Sequence, residues 1–191
     1  MCSMTWLYDA HIHLSDAEYE HDIPLILNCM ERLCIKACCV SMDYTSSKKT
    51  LELGKQSDFI LPFIGVHPEK AQDGVESTFK LIDENNETIS GIGEIGLDTT
   101  YTNSDEEFQK QEEVFKTQLS YAEKFGKPVS IHSRKTLDQI LEILPSYKVP
   151  SVLLHWFDGS KKQLQKAMDL DCYVSFGPVM VYSKDKQVLL S

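Results

Sequence analysis

The chain of 191 residues lacks any long apolar run. No stretch approaches the roughly 18 uninterrupted apolar residues that a membrane-spanning helix requires. The first residues, MCSMTWLYDA, have neither the basic segment nor the apolar segment of a secretory signal peptide. We therefore expect a soluble, cytoplasmic protein that does not enter a membrane, and no sequence feature indicates an obligate protein partner.

Basic residues are also scarce, since 19 Lys and Arg stand against 29 Asp and Glu, a formal net charge of −10. This balance excludes a generally basic nucleic-acid-binding protein, although an enzyme can still bind phosphates locally through metal ions. The six cysteines contain no CxxC pair, and Cys38 and Cys39 are adjacent in an apolar run. We interpret them as reduced core thiols rather than as a disulfide or zinc framework.

Motifs for covalent and nucleotide chemistry are absent as well. The sequence has no GxSxG, no Cys–His signature and no P-loop, so a protein nucleophile and a nucleotide kinase lack support. It also has no Gly/Ser-rich linker, low-complexity tract or internal repeat. These absences predict one continuous domain over residues 1–191, without a binding motif for an organic cofactor.

Short apolar runs alternate with helix-like patterns along the chain. Several runs are continuously apolar, as buried parallel strands tend to be. The seven strand candidates are Thr5–Ala10, Ile35–Met42, Phe59–Gly65, Thr88–Gly93, Pro128–Ile131, Ser151–Leu154 and Cys172–Phe176. The helical patterns are Ile23–Leu33, a segment with Leu51 and Leu53, Val75–Ile82, Asp105–Lys124, Leu137–Leu144 and a segment beginning at Ser160. This alternation predicts an α/β fold with a parallel sheet.

Short residue patterns give further detail for two of the predicted helices. A capping box, in which a serine and a later Glu or Gln satisfy each other's backbone N–H groups, is expected at both helix starts. The pairs are Ser104 with Glu107 and Ser160 with Gln163. The longest helical pattern also has one apolar stripe, formed by Phe108, Phe115, Leu119 and Ala122.

The strand count falls short of a closed barrel. A (β/α)8 barrel needs eight strands and typically about 250 residues. The chain offers seven candidates, and its last residues, VLLS, continue a seventh helical pattern. We therefore expect a TIM-type barrel without its eighth βα unit, in which the first and seventh strands are exposed edges.

Five side chains of metal-ligand type lie at the ends of strand candidates. The ends of parallel barrel strands meet at one mouth, so residues far apart in sequence converge there. The pattern predicts a metal centre, and two ions are favoured because a carboxylate can bridge two cations. The five residues are His11 and His13 in DAHIHL, Glu94 in GIGEIGLD, His132 in PVSIHSR and His155 in SVLLHWFDGS.

Each of these residues has a simpler interpretation when it is taken alone. His11 and His13 could be polar loop residues, although positions two apart on a strand point the same way. Glu94 could lie on the surface of a Gly-rich turn. A single histidine at a strand end is often a hydrogen-bonded core residue. The recurrence of such residues at equivalent positions favours the metal site.

Three further residues should lie near the same mouth. His67 in FIGVHPE could contact the substrate, support a ligand, or be a turn residue. Arg134 is a candidate phosphate clamp because its guanidinium fork matches phosphate oxygens, and the alternative is an ion pair with Glu94, Asp98 or Asp158. Asp98 could orient a ligand histidine or cap a turn.

Taken in order, these motifs resemble the TatD family of metal-dependent hydrolases, often described as TatD-type DNases. The resemblance runs from residue 9 to residue 178, and the combination is highly specific although each motif alone is weak. The matching segments are DAHIHL, GVHPE, GEIGLD, the helical residues Gln111, Phe115, Gln118, Leu119 and Ala122, then PVSIHSR, HWFDGS and YVSFGP.

The resemblance implies a barrel of the amidohydrolase kind with two divalent ions, Zn, Mg or Mn. The activity it implies is metal-dependent hydrolysis of phosphodiester bonds in DNA. The implied ligands are His11 and His13 for one ion, His132 and His155 for the other, and Glu94 as the bridge between them. The candidate catalytic residues are Glu94, Arg134 and His67.

The sequence departs from the family pattern in two places. HWFDG stands where the family has HCFSG, so Trp156 and Asp158 replace a small residue and a serine. The family's late acidic motif, an Asp ligand at the end of the eighth strand, has no counterpart here, so the first ion should be one ligand short. Three hypotheses follow: a DNase, the same barrel hydrolysing another ester or amide (aminoacylated RNA or a small molecule), or an inactive fragment of a longer enzyme.

Overall fold

The computed structural model describes residues 5–190, within which seven short strands form one sheet. All neighbouring strands are parallel, and they lie side by side in chain order. The strands are β1 (Leu7–Ile12), β2 (Ile35–Cys39), β3 (Ile60–Ile64), β4 (Gly91–Gly96), β5 (Val129–His132), β6 (Val152–Leu154) and β7 (Tyr173–Val174). The predicted parallel α/β sheet is confirmed.

A helix lies in each connection between strands. The helices are α1 (Ile23–Leu33), α2 (Tyr44–Gln56), α3 (Glu76–Glu84), α4 (Asp105–Phe125), α5 (Leu137–Ile143), α6 (Lys161–Asp169) and, after β7, α7 (Lys184–Gln187). Short 3₁₀ turns flank several of them, and one of these, Pro68–Lys70, lies between β3 and α3. This strand–helix alternation is the TIM-type pattern that the sequence predicts.

The sheet is open in the described part of the chain. Its outer strands are β1 and β7, which do not pair with each other across residues 5–190. On β1, the side chains of Leu7 and Tyr8 are 60% and 64% exposed, and on β7 Tyr173 is 65% exposed. The expectation that the first and seventh strands are edges is therefore confirmed.

Two strands begin two or three residues later than their apolar runs suggest. The run Thr88–Gly93 predicts a strand three residues earlier than β4, but the N–H groups of Thr88 and Ile89 donate to the carbonyl of Asn85 and close a turn after α3. Likewise β1 begins at Leu7, which pairs with Ile35, rather than at residue 5. Both strands also end later than predicted, at Ile12 and Gly96, so His11 and Glu94 lie within β1 and β4 rather than beyond them.

Side-chain caps are present at the starts of α4 and α6, with one difference from expectation. Ser160 and Gln163 form the predicted capping box of α6. At α4 the Ser104 hydroxyl accepts from the Glu107 N–H as predicted, but the Glu107 carboxylate accepts from the N–H of Asn103 instead of closing the box. The displaced carboxylate still satisfies a free N–H just before the helix.

The main core lies between α4 and the central strands. Phe115, Leu119 and Ala122 of the predicted stripe are fully buried, and Phe108 packs at the margin of the same cluster. Residues of β4, β5 and β6 belong to the same cluster, among them Ile92, Ile95, Val129, Ile131 and Leu154. The central strands are therefore held rigidly by the packing on α4, which matters because they carry site residues.

The cysteines of the described residues form no disulfide. Cys34 and Cys39 are buried, Cys38 and Cys172 are partly buried, and Cys29 is exposed, so the prediction of core thiols holds for most of them. Cys2 lies outside the described residues. Among residues 5–190, no helix is long and apolar enough to cross a membrane.

Candidate metal centre

Glu94 lies at the centre of a cluster of four histidines. It belongs to β4 and is only 3% exposed. Its Oε2 atom lies 3.1 Å from His13 Nε2 and 3.5 Å from His11 Nε2. Its Oε1 atom lies 3.1 Å from His132 Nδ1 and 3.9 Å from His67 Nε2. The two carboxylate oxygens therefore face two different pairs of imidazoles.

Strand order explains why these residues meet. His11 lies on β1, His13 follows that strand, and His132 is the last residue of β5. His67 comes three residues after β3. All of them are at the carboxyl ends of parallel strands, which is the end of the sheet where barrels of this architecture assemble their sites.

The first group of possible ligand atoms is His11, His13 and Glu94, whose donor atoms all lie within 4.8 Å of one another. His11 Nδ1 contacts the Ser130 hydroxyl at 2.9 Å, which fixes the ring and leaves Nε2 to face His13 Nε2 at 3.2 Å. Ser130 is missing from the sequence-based prediction. The signal for it is its place two residues before His132, on the same face of β5.

The second group is His67, Glu94 and His132. His132 Nε2 lies 2.7 Å from Asp98 Oδ2, and the other Asp98 oxygen accepts from the N–H and hydroxyl of Thr100. A carboxylate can only accept here, so Asp98 keeps a proton on Nε2. The Nδ1 atom then donates to Glu94 when His132 is protonated and presents its lone pair there when His132 is neutral. Asp98 both orients His132 and caps a turn, so the two roles that the sequence suggests for this residue are compatible.

His67 differs from the other members of its group. Its Nδ1 atom accepts from the backbone N–H of Glu69 at 3.2 Å. In a neutral imidazole the other nitrogen then carries the proton, so His67 Nε2 points a donor toward Glu94 rather than a lone pair. We therefore regard His67 as a hydrogen-bonding residue of the site and a poor ligand, despite its short distances.

His155 lies beside these two groups instead of within them. Its ring is parallel to that of His11, with centroids 3.5 Å apart and an angle of 6° between the planes. Burial, followed by the charge of His11, lowers its pKa to about 3. A neutral imidazole is the form that binds metals, and the role of His155 as a ligand stays a prediction.

Arg134 is exposed at the start of the segment after β5. Within residues 5–190 it forms no ion pair with Glu94 or Asp98, whose ion-pair partners are histidines. A phosphate contact by Arg134 stays a prediction.

The ionised form of Glu94 and the protonated forms of its neighbouring histidines stabilise one another. Burial is the largest single influence on Glu94 and favours its neutral form, but hydrogen bonds from His11, His13 and His132 outweigh it and hold the Glu94 pKa well below its usual range. In the same way, burial opposes the protonation of His13 and His132, yet the hydrogen bonds and charge of Glu94 raise the pKa of each. An ionised Glu94 therefore attracts positive charge on both sides.

The donor set fits a divalent cation. Only one proton can lie between the facing Nε2 atoms of His11 and His13, and both atoms also face a carboxylate oxygen. A cation shared by the three lone pairs satisfies all of them at once. Imidazole nitrogen with carboxylate oxygen suits Zn²⁺ and Mn²⁺, and the carboxylate also suits Mg²⁺.

Burial of His67 predicts a pH-dependent stability for the metal-free protein. Burial lowers the pKa of His67 from 6.5 to about 4, so between those values the unfolded chain binds the extra proton first. Stability is full above pH 6.5 and should fall toward pH 4, by at most about 1.4 kcal/mol per pH unit from this residue. His67→Asn keeps an acceptor for the Glu69 N–H and should make the slope shallower.

Urea unfolding at several pH values in the presence of a chelator measures this slope. The matched control is His21→Asn, at an exposed histidine of the 20–22 turn. An equal slope for wild type and His67→Asn would show that His67 is not buried in its neutral form. His155 has a similarly lowered pKa, so part of the acid sensitivity should persist in the variant.

Comparison with known proteins agrees with this geometry. The family model described as "TatD related DNase" matches residues 8–190. The "Uncharacterized metal-dependent hydrolase YabD" of Bacillus subtilis is 30% identical over 190 residues, which is 95% of this chain and 72% of that protein. The "Deoxyribonuclease TATDN3" of Homo sapiens is 26% identical over 198 residues, covering 96% of this chain and 72% of that protein.

Solved structures show the same fold. The crystal structure of YJJV, a TatD homologue from Escherichia coli, superimposes with a TM-score of 0.83 at 22% identity, covering 95% of this chain and 72% of that one. A TatD-family hydrolase from Entamoeba histolytica gives a TM-score of 0.82 at 22% identity, over 98% of this chain and 70% of that one. The resemblance drawn from the motifs is thus confirmed, and the chain belongs to the TatD family of metal-dependent hydrolases.

Proposed function

We propose that this protein hydrolyses phosphodiester bonds in DNA at a dinuclear metal site centred on Glu94. The observation that carries the proposal is the division of the Glu94 carboxylate, with Oε2 facing His11 and His13 and Oε1 facing His132. A carboxylate placed in this way can bridge two cations. Relatives named as deoxyribonucleases support DNA as the substrate.

The proposed ligands divide between two ions. They are His11 and His13 for one ion, His132 and His155 for the other, and Glu94 for both. When bound, two divalent ions (Zn, Mg or Mn) would polarise the phosphoryl group and lower the pKa of the attacking water. Two of the proposed ligands are held in orientation by hydrogen bonds, since Ser130 contacts His11 and Asp98 contacts His132.

Two other residues are proposed to act directly on the substrate. His67 presents its Nε2–H toward Glu94 Oε1 at 3.9 Å and is buried beside the cluster, so it can hold or move a proton there. Arg134 is exposed and forms no ion pair with Glu94 or Asp98 within the described residues, so its guanidinium can bind a non-bridging phosphate oxygen. Neither role requires the net charge of the protein to be positive.

A second candidate keeps the site and changes the substrate. The net charge of −10 disfavours a wide surface for a polyanion. A small-molecule ester or amide needs no such surface, whereas an aminoacylated RNA would meet the same repulsion as DNA. Relatives such as YabD are named only as metal-dependent hydrolases.

Incubation of the purified protein with end-labelled DNA tests the proposal. Single- and double-stranded oligonucleotides labelled at the 5′ or 3′ end are supplied with Mg²⁺, Mn²⁺ or Zn²⁺, and products are resolved on a gel. We expect cleavage that requires the cation, stops with chelator, is lost in His132→Ala and is kept in the exposed-site control His21→Ala. Turnover of a nucleotide-free ester without any DNA cleavage would select the second candidate instead.

A further inference from the structure

Trp156 presents a large aromatic surface beside the candidate metal centre. Trp156 is 62% exposed although it lies only two residues after Leu154, the buried last residue of β6. The indole stacks near the ring of His155, with centroids 5.5 Å apart and planes inclined by 24°. His155 in turn stacks on His11. An exposed indole is thus connected by two ring contacts to a residue proposed to bind metal.

The backbone around Trp156 is fixed in an unfavourable conformation. Its φ angle is +47°, in the left-handed region that bulky residues rarely adopt and that costs about 1–2 kcal/mol. The strain is held by the segment after β7, because the Trp156 N–H donates to the Ser175 hydroxyl and the N–H of buried Phe157 donates to the Ser175 carbonyl. Strain held in this way clusters at functional positions.

The indole ring also packs against the backbone in a defined position. A Cβ atom built on Gly177 would lie 3.0–3.1 Å from the indole atoms Cε2, Cδ2 and Nε1, so the ring rests against the backbone there. One part of the ring is therefore packed while most of its surface faces solvent. A flat ring held in one orientation is a better binding surface than a mobile one, because less conformational entropy is lost on binding.

A second exposed aromatic residue flanks the other part of the cluster. Tyr101 is 41% exposed, and its ring contacts that of His67 edge-on at a centroid distance of 5.8 Å. His67 contacts His132 in the same manner at 4.7 Å. The histidine cluster is thus accompanied by an exposed aromatic ring on the side of His11 and another on the side of His132.

We infer that Trp156 stacks on an unpaired nucleobase of the substrate and so directs the site to single-stranded DNA or frayed ends; this inference rests on the proposed nuclease function. Every base has a π-face, and stacking on an aromatic side chain contributes about 1–3 kcal/mol per base. A net charge of −10 leaves little general attraction for phosphates. Bases inside a duplex are stacked on each other and cannot reach the indole.

Kinetics with matched substrates test the inference. One substrate is a single-stranded oligonucleotide, and the others carry one abasic residue at successive positions. Trp156→Ala should raise KM for the intact strand by about 5- to 150-fold, the range that corresponds to 1–3 kcal/mol, with kcat nearly unchanged. Trp156→Phe should keep most of the affinity. The abasic substrate that weakens wild type most should show no further loss with Trp156→Ala.

A binding measurement separates this inference from the proposed function. The chain has two tryptophans, so Trp6→Phe, which keeps a ring against Phe59, leaves Trp156 as the fluorescent probe. Metal-loaded protein is titrated with phosphorothioate oligonucleotides, which resist hydrolysis. We expect quenching by single strands and much less by abasic strands or blunt duplex.

The outcomes are distinct. Base-dependent quenching without any DNA cleavage would reject the nuclease and keep the stacking surface. DNA cleavage with equal KM changes on intact and abasic strands, or with no effect of Trp156→Ala, would reject the stacking surface and keep the nuclease. Equal quenching by intact and abasic strands would also reject it.

Discussion

Glu94→Gln is expected to lower the rate of metal-dependent hydrolysis by about a thousandfold or more. Glutamine has the shape of glutamate but no charge, and its amide nitrogen cannot act as a ligand. Metal ions contribute several kcal/mol of charge stabilisation to such reactions, and each 1.36 kcal/mol is a factor of ten. Since both Glu94 oxygens face histidines proposed as ligands, neither ion should keep its full ligand set.

The loss should appear in metal content before activity is measured. Equilibrium dialysis followed by elemental analysis should find fewer ions in Glu94→Gln than in wild type. In the metal-free protein, the pKa values of His13 and His132 should both fall, since the charge of Glu94 raises them. NMR titration of the histidine ring protons measures this change.

The matched control is Glu52→Gln, an exposed position on α2. It changes the net charge by the same amount and should leave metal content and rate at wild-type values. A Glu94→Gln variant that binds two ions and turns over within tenfold of wild type would remove Glu94 from the centre of the site. Lost activity with unchanged metal content would instead assign it a role in proton transfer.

Much of this site can be predicted from sequence because the parallel strands of a barrel bring the residues at their carboxyl ends together. Once the strands are recognised, a histidine or glutamate at the carboxyl end of a strand can be placed at the common mouth. This holds however far it lies in sequence from the other site residues. His11, His13, Glu94 and His132 meet for this reason. The contact of Asp98 with His132 can also be anticipated, because a carboxylate soon after β4 reaches its neighbour, β5.

Contacts that depend on side-chain direction could not be predicted in the same way. Ser130 and His11 are 119 residues apart and meet across the mouth. The position of Ser130 two residues before His132 places it on the same face of β5, but it does not identify His11 as its partner. Whether His155 binds an ion or stacks on His11 depends on ring orientation, which strand order leaves open. The first residue of β4 depends on a turn at Asn85, and apolar patterning does not register that turn.

The fold and the site depend on each other most directly at Gly96. This last residue of β4 pairs with His132 and has a φ angle of +144°, which residues with side chains rarely adopt. A Cβ atom there would lie 2.0 Å from the His132 carbonyl oxygen and 2.9 Å from its carbonyl carbon. Both atoms belong to backbone, so relief requires β4 and β5 to separate beside a proposed ligand.

Gly96→Ala should therefore lower both stability and metal binding. The backbone conformation costs about 1–3 kcal/mol and the overpacking about 1–3 kcal/mol, so a loss of about 2–6 kcal/mol in the free energy of unfolding is expected. Separation of the strands also moves His132 relative to Glu94, which should weaken metal binding even in molecules that remain folded. Urea unfolding and metal titration of the native fraction measure the two effects.

Gly126→Ala distinguishes the clash from the backbone conformation alone. Gly126 ends α4 with a φ angle of +61°, and a Cβ atom there would meet nothing within 4 Å. That variant should lose only about 1–2 kcal/mol, the cost of a left-handed residue with a side chain, and should bind metal normally. Equal losses for the two variants would mean that β4 and β5 can separate freely at this point. The position of His132, and with it the metal centre, would then not depend on the absence of a side chain at Gly96.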